Sequence, residues 1–257
     1  MNIDTVKKFL KEHFKTLIFF AAAGLIGGFF TGLFVLDSYP EEMRQQLLAE
    51  GMNATLLGIV TALQGAAYGV ILGAVGILIG SRIGLYRGER TIEKKPLIYA
   101  IAVSLIGGVS MILFDLLWFG KVSDVIMESY SAKPSFSFIV GSIIYGGVIE
   151  EVMLRLFWMS LVAFLLSLFV NKGQGTPSDK LIIVANVISA LLFAIGHLPA
   201  NAVLLGITPL IVFRCILLNG GIGIMFGWLY HKFGLRYSML AHAGCHLVSK
   251  LIWIIFV

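Results

Sequence analysis

Long apolar runs alternate with short polar connections along the whole chain. Runs bounded by charges or turn residues cover 16–36, 54–80, 97–119, 136–170, 181–198, 209–230 and 238–257. Each approaches or exceeds the ~20 residues that cross a hydrocarbon core as a helix. Helices are the expected form, because backbone exposed to lipid must satisfy its own hydrogen bonds. The alternation of apolar and polar residues that barrel strands require is absent. The pattern therefore predicts an all-α polytopic membrane bundle of about seven transmembrane helices, with six to eight as the range. The chain is read as one transmembrane domain, 1–257. The first run is too long for a cleaved signal core and is expected to stay as the first span. Residues 40–50 are read as a short interfacial helix with a thin apolar face.

Composition supports this picture. Hydrophobic residues make up 58% of the 257 positions and charged residues 13%, about half the share in a soluble domain, and mean hydropathy is +0.94. The net charge of +5 sits in short connections, so it reports topology rather than a nucleic-acid partner. Lys7, Lys8, Lys11 and Lys15 precede the first run. Arg82, Arg87, Arg90, Lys94 and Lys95 lie between the second and third, Lys172 and Lys180 between the fourth and fifth, and His231, Lys232 and Arg236 before the last. The intervening connections are acidic, mixed or uncharged. The positive-inside rule then predicts a cytoplasmic N-terminus and a C-terminus on the outer side. Glycines at four-residue spacing, Gly65/Gly69/Gly73 and Gly223/Gly227 among them, predict close helix packing in lipid. Cys215 and Cys245, both in apolar runs, read as inert free thiols.

Against this apolar background a few polar groups stand out, and polar groups inside a membrane are costly and by default functional. Glu150, Glu151 and Arg155 lie in the fourth run. On an α-helix Glu151 and Arg155 are four apart and pair on one face, whereas Glu150 is turned ~100° away and left without its local partner. His197 closes the fifth run, and His242 and His246 share a face of the last. A carboxylate and three imidazoles on three helices would supply a general base, a water-orienting group and two N–H donors. That is equipment for hydrolysing an acyl bond. No serine-centred elbow is present and neither cysteine sits beside a base, which argues against a covalent route. Asp115, Arg214 and Lys250 read as snorkelling groups or structural pairs.

The motifs in order, Glu150-Glu-Val-Met-Leu-Arg155, Phe193-Ala-Ile-Gly-His197 and His242-Ala-Gly-Cys-His246, together resemble those of the CAAX protease and bacteriocin-processing family of intramembrane glutamate peptidases. The run GIMFGWLYHKFG before the last motif is similar to that family's penultimate helix, and the likeness covers about 136–250. The resemblance implies a membrane endopeptidase needing no cofactor. In it Glu150 activates water, His197 helps to hold that water, and His242 with His246 forms the oxyanion hole. Glu151, Arg155 and Phe193 support the motifs. Its substrate would be a membrane-associated peptide or a lipidated protein, with membrane lipids as the other partners and no nucleic acid.

Where the family carries Asn or Asp, this chain has His246. The replacement opens a zinc-dependent alternative with Glu150, His197, His242 and His246 as ligands. A non-enzymatic scaffold or immunity-type membrane protein is the alternative from outside enzymology. A depth count sets one further condition. A straight helix over 136–170 would be ~52 Å long against a ~30 Å core, and the candidate residues fall at different heights. Either the fifth helix is therefore expected to start well below the bilayer surface, or the fourth to be tilted or broken at Gly146-Gly147.

Overall fold

The computed structural model describes residues 3–88, 91–171 and 176–257. Among them are nine helices and no strand: α1 Ile3–Ser38, α2 Glu41–Ala49, α3 Ala54–Arg82, α4 Lys94–Val122, α5 Asp124–Glu128, α6 Phe136–Val170, α7 Asp179–Leu204, α8 Pro209–Phe233 and α9 Leu235–Phe256. All except α2 and α5 are long and apolar enough to cross a membrane, and they coincide with the seven runs. The chain is a polytopic all-α bundle. Helix α2, which buries no residue, is the short helix expected over 40–50. Helix α7 runs past 198 to Leu204 and includes Pro199.

Local chemistry starts these helices where the pattern says they should start. Asn53, Ser135 and Thr208 accept hydrogen bonds from backbone N–H groups three residues on, at 3.0, 3.2 and 3.2 Å, and Pro209 occupies the first turn of α8. Such caps satisfy donors that a helix start leaves open. A single glycine, Gly234, joins α8 to α9 at φ 104°, a backbone conformation that side chains resist.

Packing then follows the glycines. A Cβ on Gly24 would lie 2.4 Å from the Gly65 carbonyl, and one on Gly28 2.4 Å from the Thr61 oxygen, so α1 and α3 touch backbone to backbone as small residues allow in lipid. On the other side of the bundle α4 lies along α9. There Gly108 faces Val248, and Ser104 Oγ is 3.2 Å from the Ala241 carbonyl.

Of the adjustments expected for the fourth and fifth helices, a break in the fourth is not found. No break occurs at Gly146-Gly147. Instead α6 is wound as a π-helix over Ser142–Glu150 and again over Val152–Met159. Winding with i→i+5 bonds is wider and advances less per residue, and π-bulges gather at functional sites. It also leaves carbonyls to be satisfied from outside, and Ser189 Oγ of α7 donates to the Leu154 oxygen at 2.6 Å.

Asp115 and Arg214 form a structural pair. Asp115 is fully buried, begins a π-helical turn of α4, and accepts two hydrogen bonds from the Arg214 guanidinium. A third comes from the Tyr130 hydroxyl at 2.7 Å. Burial, then the adjacent carboxylate, pushes the Tyr130 phenol up from its ordinary range, which keeps it protonated as a donor. Removing one partner strands a buried charge. Asp115→Ala is expected to lower stability by about 3 kcal/mol, the low end for such pairs, because Arg214 remains 16% exposed. Denaturant unfolding in detergent, run beside Arg214→Ala and the double variant, checks it: additive losses would show that the two residues do not interact.

Candidate active site

The two adjacent glutamates have opposite environments. Glu151 is completely buried and engaged on both oxygens. Its Oε1 lies 3.2 Å from Arg155 Nη1 and accepts from His242 Nδ1 at 2.8 Å, and its Oε2 accepts from the Ser238 hydroxyl. Glu150 keeps 23% of its side chain exposed, and its Oε2 stands 3.8 Å from His242 Nε2, too far for a hydrogen bond. Glu151 is thus the saturated carboxylate and Glu150 the accessible one, and the pairing of Glu151 with Arg155 is the one the helix geometry predicted. The assignment survives the π-winding because Glu151, not Glu150, meets Arg155.

Arg155 anchors α6 to α7 and α8. It is 1% exposed. Its Nη2 donates to the Gly223 carbonyl at 2.8 Å, and its guanidinium lies over the rings of Phe193 and Phe226, 4.9 and 5.4 Å from their centroids. A Cβ at Gly223 would sit 3.0 Å from Nη2. The glycine-rich run of α8 therefore lets a guanidinium approach backbone.

His242 is held from three sides. Its Nδ1 faces a carboxylate, which can only accept, so the proton resides on Nδ1 and a neutral ring presents Nε2 as a lone pair toward Glu150. Phe226 stacks on it at 4.5 Å and 21°, and His246 stacks at 4.9 Å and 26°. Both imidazoles turn Nε2 toward Gly146, one turn before Glu150. A Cβ there would be 2.7 Å from His246 Nε2 and 3.5 Å from His242 Nε2. The absent side chain leaves a niche bordered by two ring nitrogens. The Nδ1 of His246 is buried without a partner among the described residues.

His197 joins the group less directly. Its Nδ1 donates to the Phe193 carbonyl at 2.8 Å, which leaves Nε2 as an acceptor. The Phe193 ring meets His197 edge-on at 4.7 Å and His242 at 5.6 Å. The structure therefore gathers Glu150, His242 and His246 by direct approach and brings His197 in through Phe193. It makes no ion pair between His197 and Glu150. Glu150, His242 and His246 share one level of the bundle, with the Phe193 ring between His197 and His242. Among the described residues, no group of three or more His, Cys, Asp or Glu side chains is arranged to hold a metal ion.

Three contributors escaped the sequence reading. Ser238 binds Glu151, and Phe226 supports the His242 ring. Gly146 creates the niche and carried a readable signal, a glycine pair one turn before an acidic pair in a membrane run. Ser238 and Phe226 carried none, because a serine and a phenylalanine in apolar helices are unremarkable until their neighbours are known.

Residues 132–248 match the model of the family described as type II CAAX prenyl endopeptidase Rce1-like. The match covers a little under half of the chain and includes all three motifs. The resemblance read from EEVMLR, FAIGH and HAGCH is therefore borne out over this segment, and it supports membrane protease activity. No curated protein and no solved structure matches the chain.

Proposed function

We propose that the protein is an intramembrane endopeptidase that hydrolyses a peptide bond of a membrane-associated peptide or lipidated protein, with Glu150 as general base. The observation that carries this reading is the split between the glutamates. Glu151 is saturated by Arg155, His242 and Ser238, while Glu150 is accessible and 3.8 Å from a ring nitrogen. In the proposed step Glu150 takes a proton from water as the water oxygen attacks the peptide carbonyl carbon. The carbonyl oxygen becomes an oxyanion, and the C–N bond then breaks with the proton passing to the leaving amine. His242 can donate to an oxyanion only when Nε2 also carries a proton, and its Nδ1 hydrogen bond to Glu151 holds the ring with Nε2 facing the niche. His246 supplies the second Nε2 on the same niche. A ring N–H does there what the amide of the family's Asn would do, and electrostatic donors of this kind are among the largest contributors to catalysis. His197, its Nε2 left as an acceptor, orients the water.

The proposed orientation puts the N-terminus and the basic connections on the cytoplasmic side. In this reading no metal takes part, since Glu150 itself activates the water. The test is cleavage of an internally quenched peptide by protein reconstituted in vesicles, in water enriched in oxygen-18. Cleavage is expected to survive 1,10-phenanthroline and EDTA and to place one heavy oxygen in the new carboxylate. Loss of activity on chelation with recovery on adding zinc would replace the base-only route by the zinc-dependent one. A chain that cleaves nothing under any condition would favour a scaffold.

A further inference from the structure

A cavity of about 680 Å³ lies between α1, the connection from α3 to α4 and the start of α9. None of Glu150, His197, His242 and His246 lines it. Its volume falls within the ~300–1,000 Å³ of ligand pockets. Its inner wall is apolar, made by Phe19 and Phe20 of α1, Val148 of α6, and Met239, Leu240 and Ala243 of α9. Its rim is cationic, with Lys15 of α1, Arg87 of the connection and Lys232 of α8 coming from three separate elements, while Glu93 is the only carboxylate of the lining among the described residues. Lys15 and Arg87 are exposed, and neither forms an ion pair among the described residues. Arg87 makes only a long bond, 3.5 Å, to the His231 carbonyl. Lys232 is shared with Asp179 at 3.0 Å.

The rim sits where α4 and α9 begin and α8 ends, and the ends of membrane-crossing helices are where bilayer headgroups lie. The wall runs from Leu235 at the start of α9 to Ala243, about 12 Å inward at ~1.5 Å per residue. An apolar recess entered past clustered cations is complementary to one kind of molecule native to this environment, an acyl chain carrying an anionic headgroup. Basic pockets between membrane helices bind anionic lipid headgroups by the same physics. We propose that this cavity binds an anionic phospholipid. Its phosphate lies among Lys15, Arg87 and Lys232, and one acyl chain lies along Phe19 and Phe20 toward Val148 and Ala243. The inner end matters for the rest of the molecule. Ala243 packs on Gly147, where a Cβ would be only 2.7 Å from the Ala243 methyl, and this α6–α9 contact adjoins both Glu150 and His242. A chain seated against it holds the two helices at their spacing. The proposal does not depend on the peptidase assignment.

The test is lipid retention by the full chain, purified from mixed micelles and read by native mass spectrometry with phosphatidylglycerol and phosphatidylcholine in competition. At least a tenfold preference for phosphatidylglycerol is expected. The exposed-residue double variant Lys15→Glu/Arg87→Glu should bring the preference close to one. Leu240→Trp, which fills the recess without touching the cations, should lower phosphatidylglycerol retention at least tenfold. Glycerol phosphate, the headgroup without chains, should not displace the lipid. Equal retention of the two lipids, or a preference unchanged in the charge-reversed protein, overturns the proposal. Displacement by glycerol phosphate would show a simple anion site, and displacement by a peptide bearing a free carboxylate would show a peptide site. Either result also overturns it.

Discussion

Glu150→Gln is expected to cut the rate of peptide cleavage by ~10²–10⁴-fold, the usual contribution of a general base, with membrane abundance and unfolding unchanged. The substitution keeps the shape of the side chain and removes only its ability to take a proton. Glu150 makes no hydrogen bond among the described residues and keeps 23% of its side chain exposed, so its neutral amide strands no partner. The contrast with its neighbour makes the result interpretable. Glu151→Gln removes the counter-charge of Arg155 and the anchor of His242 together, so it should lower stability and activity in parallel. Cleavage assays in vesicles, paired with thermal unfolding of the same preparations, separate the two outcomes. Wild-type turnover by the Glu150 variant would end the assignment of that residue as base.

Arg155→Ala should destabilise the protein by about 4 kcal/mol, within the ~3–5 kcal/mol that follows when a buried pair loses one member. Glu151 is 0% exposed and would be left with only neutral donors around a charge. The guanidinium also holds the Gly223 carbonyl and lies over two aromatic rings, so packing is lost along with charge. Its 3.2 Å approach to Glu151 is an ion pair rather than an aligned hydrogen bond, as Nη1 has no hydrogen-bond partner. Arg155→Lys should recover only part of the loss, because an ammonium cannot serve a carboxylate and a backbone carbonyl from one planar fork. Denaturant unfolding in detergent measures both variants. Wild-type stability of Arg155→Ala would show that neither the charge nor the packing of Arg155 contributes measurably.

Much of this was legible in one dimension because the bilayer is a demanding solvent. The seven runs became seven spanning helices with ends shifted by a few residues, since backbone in lipid has few ways to satisfy itself. Polar groups were visible for the same reason: Glu150, Glu151, Arg155, His197, His242 and His246 stand out only because their surroundings are apolar. The four-residue separation of Glu151 from Arg155 forecast the pair that forms, and it thereby singled out Glu150.

Tertiary structure decided the rest. The π-winding of α6 has no local signature, because it is stabilised by groups brought in from elsewhere, such as the Ser189 hydroxyl on the Leu154 carbonyl. The protonated nitrogen of His242 is chosen by a carboxylate 91 positions away, and the pairing of Asp115 with Arg214 spans 99 positions. Spacing along a chain encodes which residues share a helix face. It does not encode which faces meet, how far a helix slides past its neighbour, or what a ring nitrogen finds there, since those depend on packing contacts between segments distant in sequence.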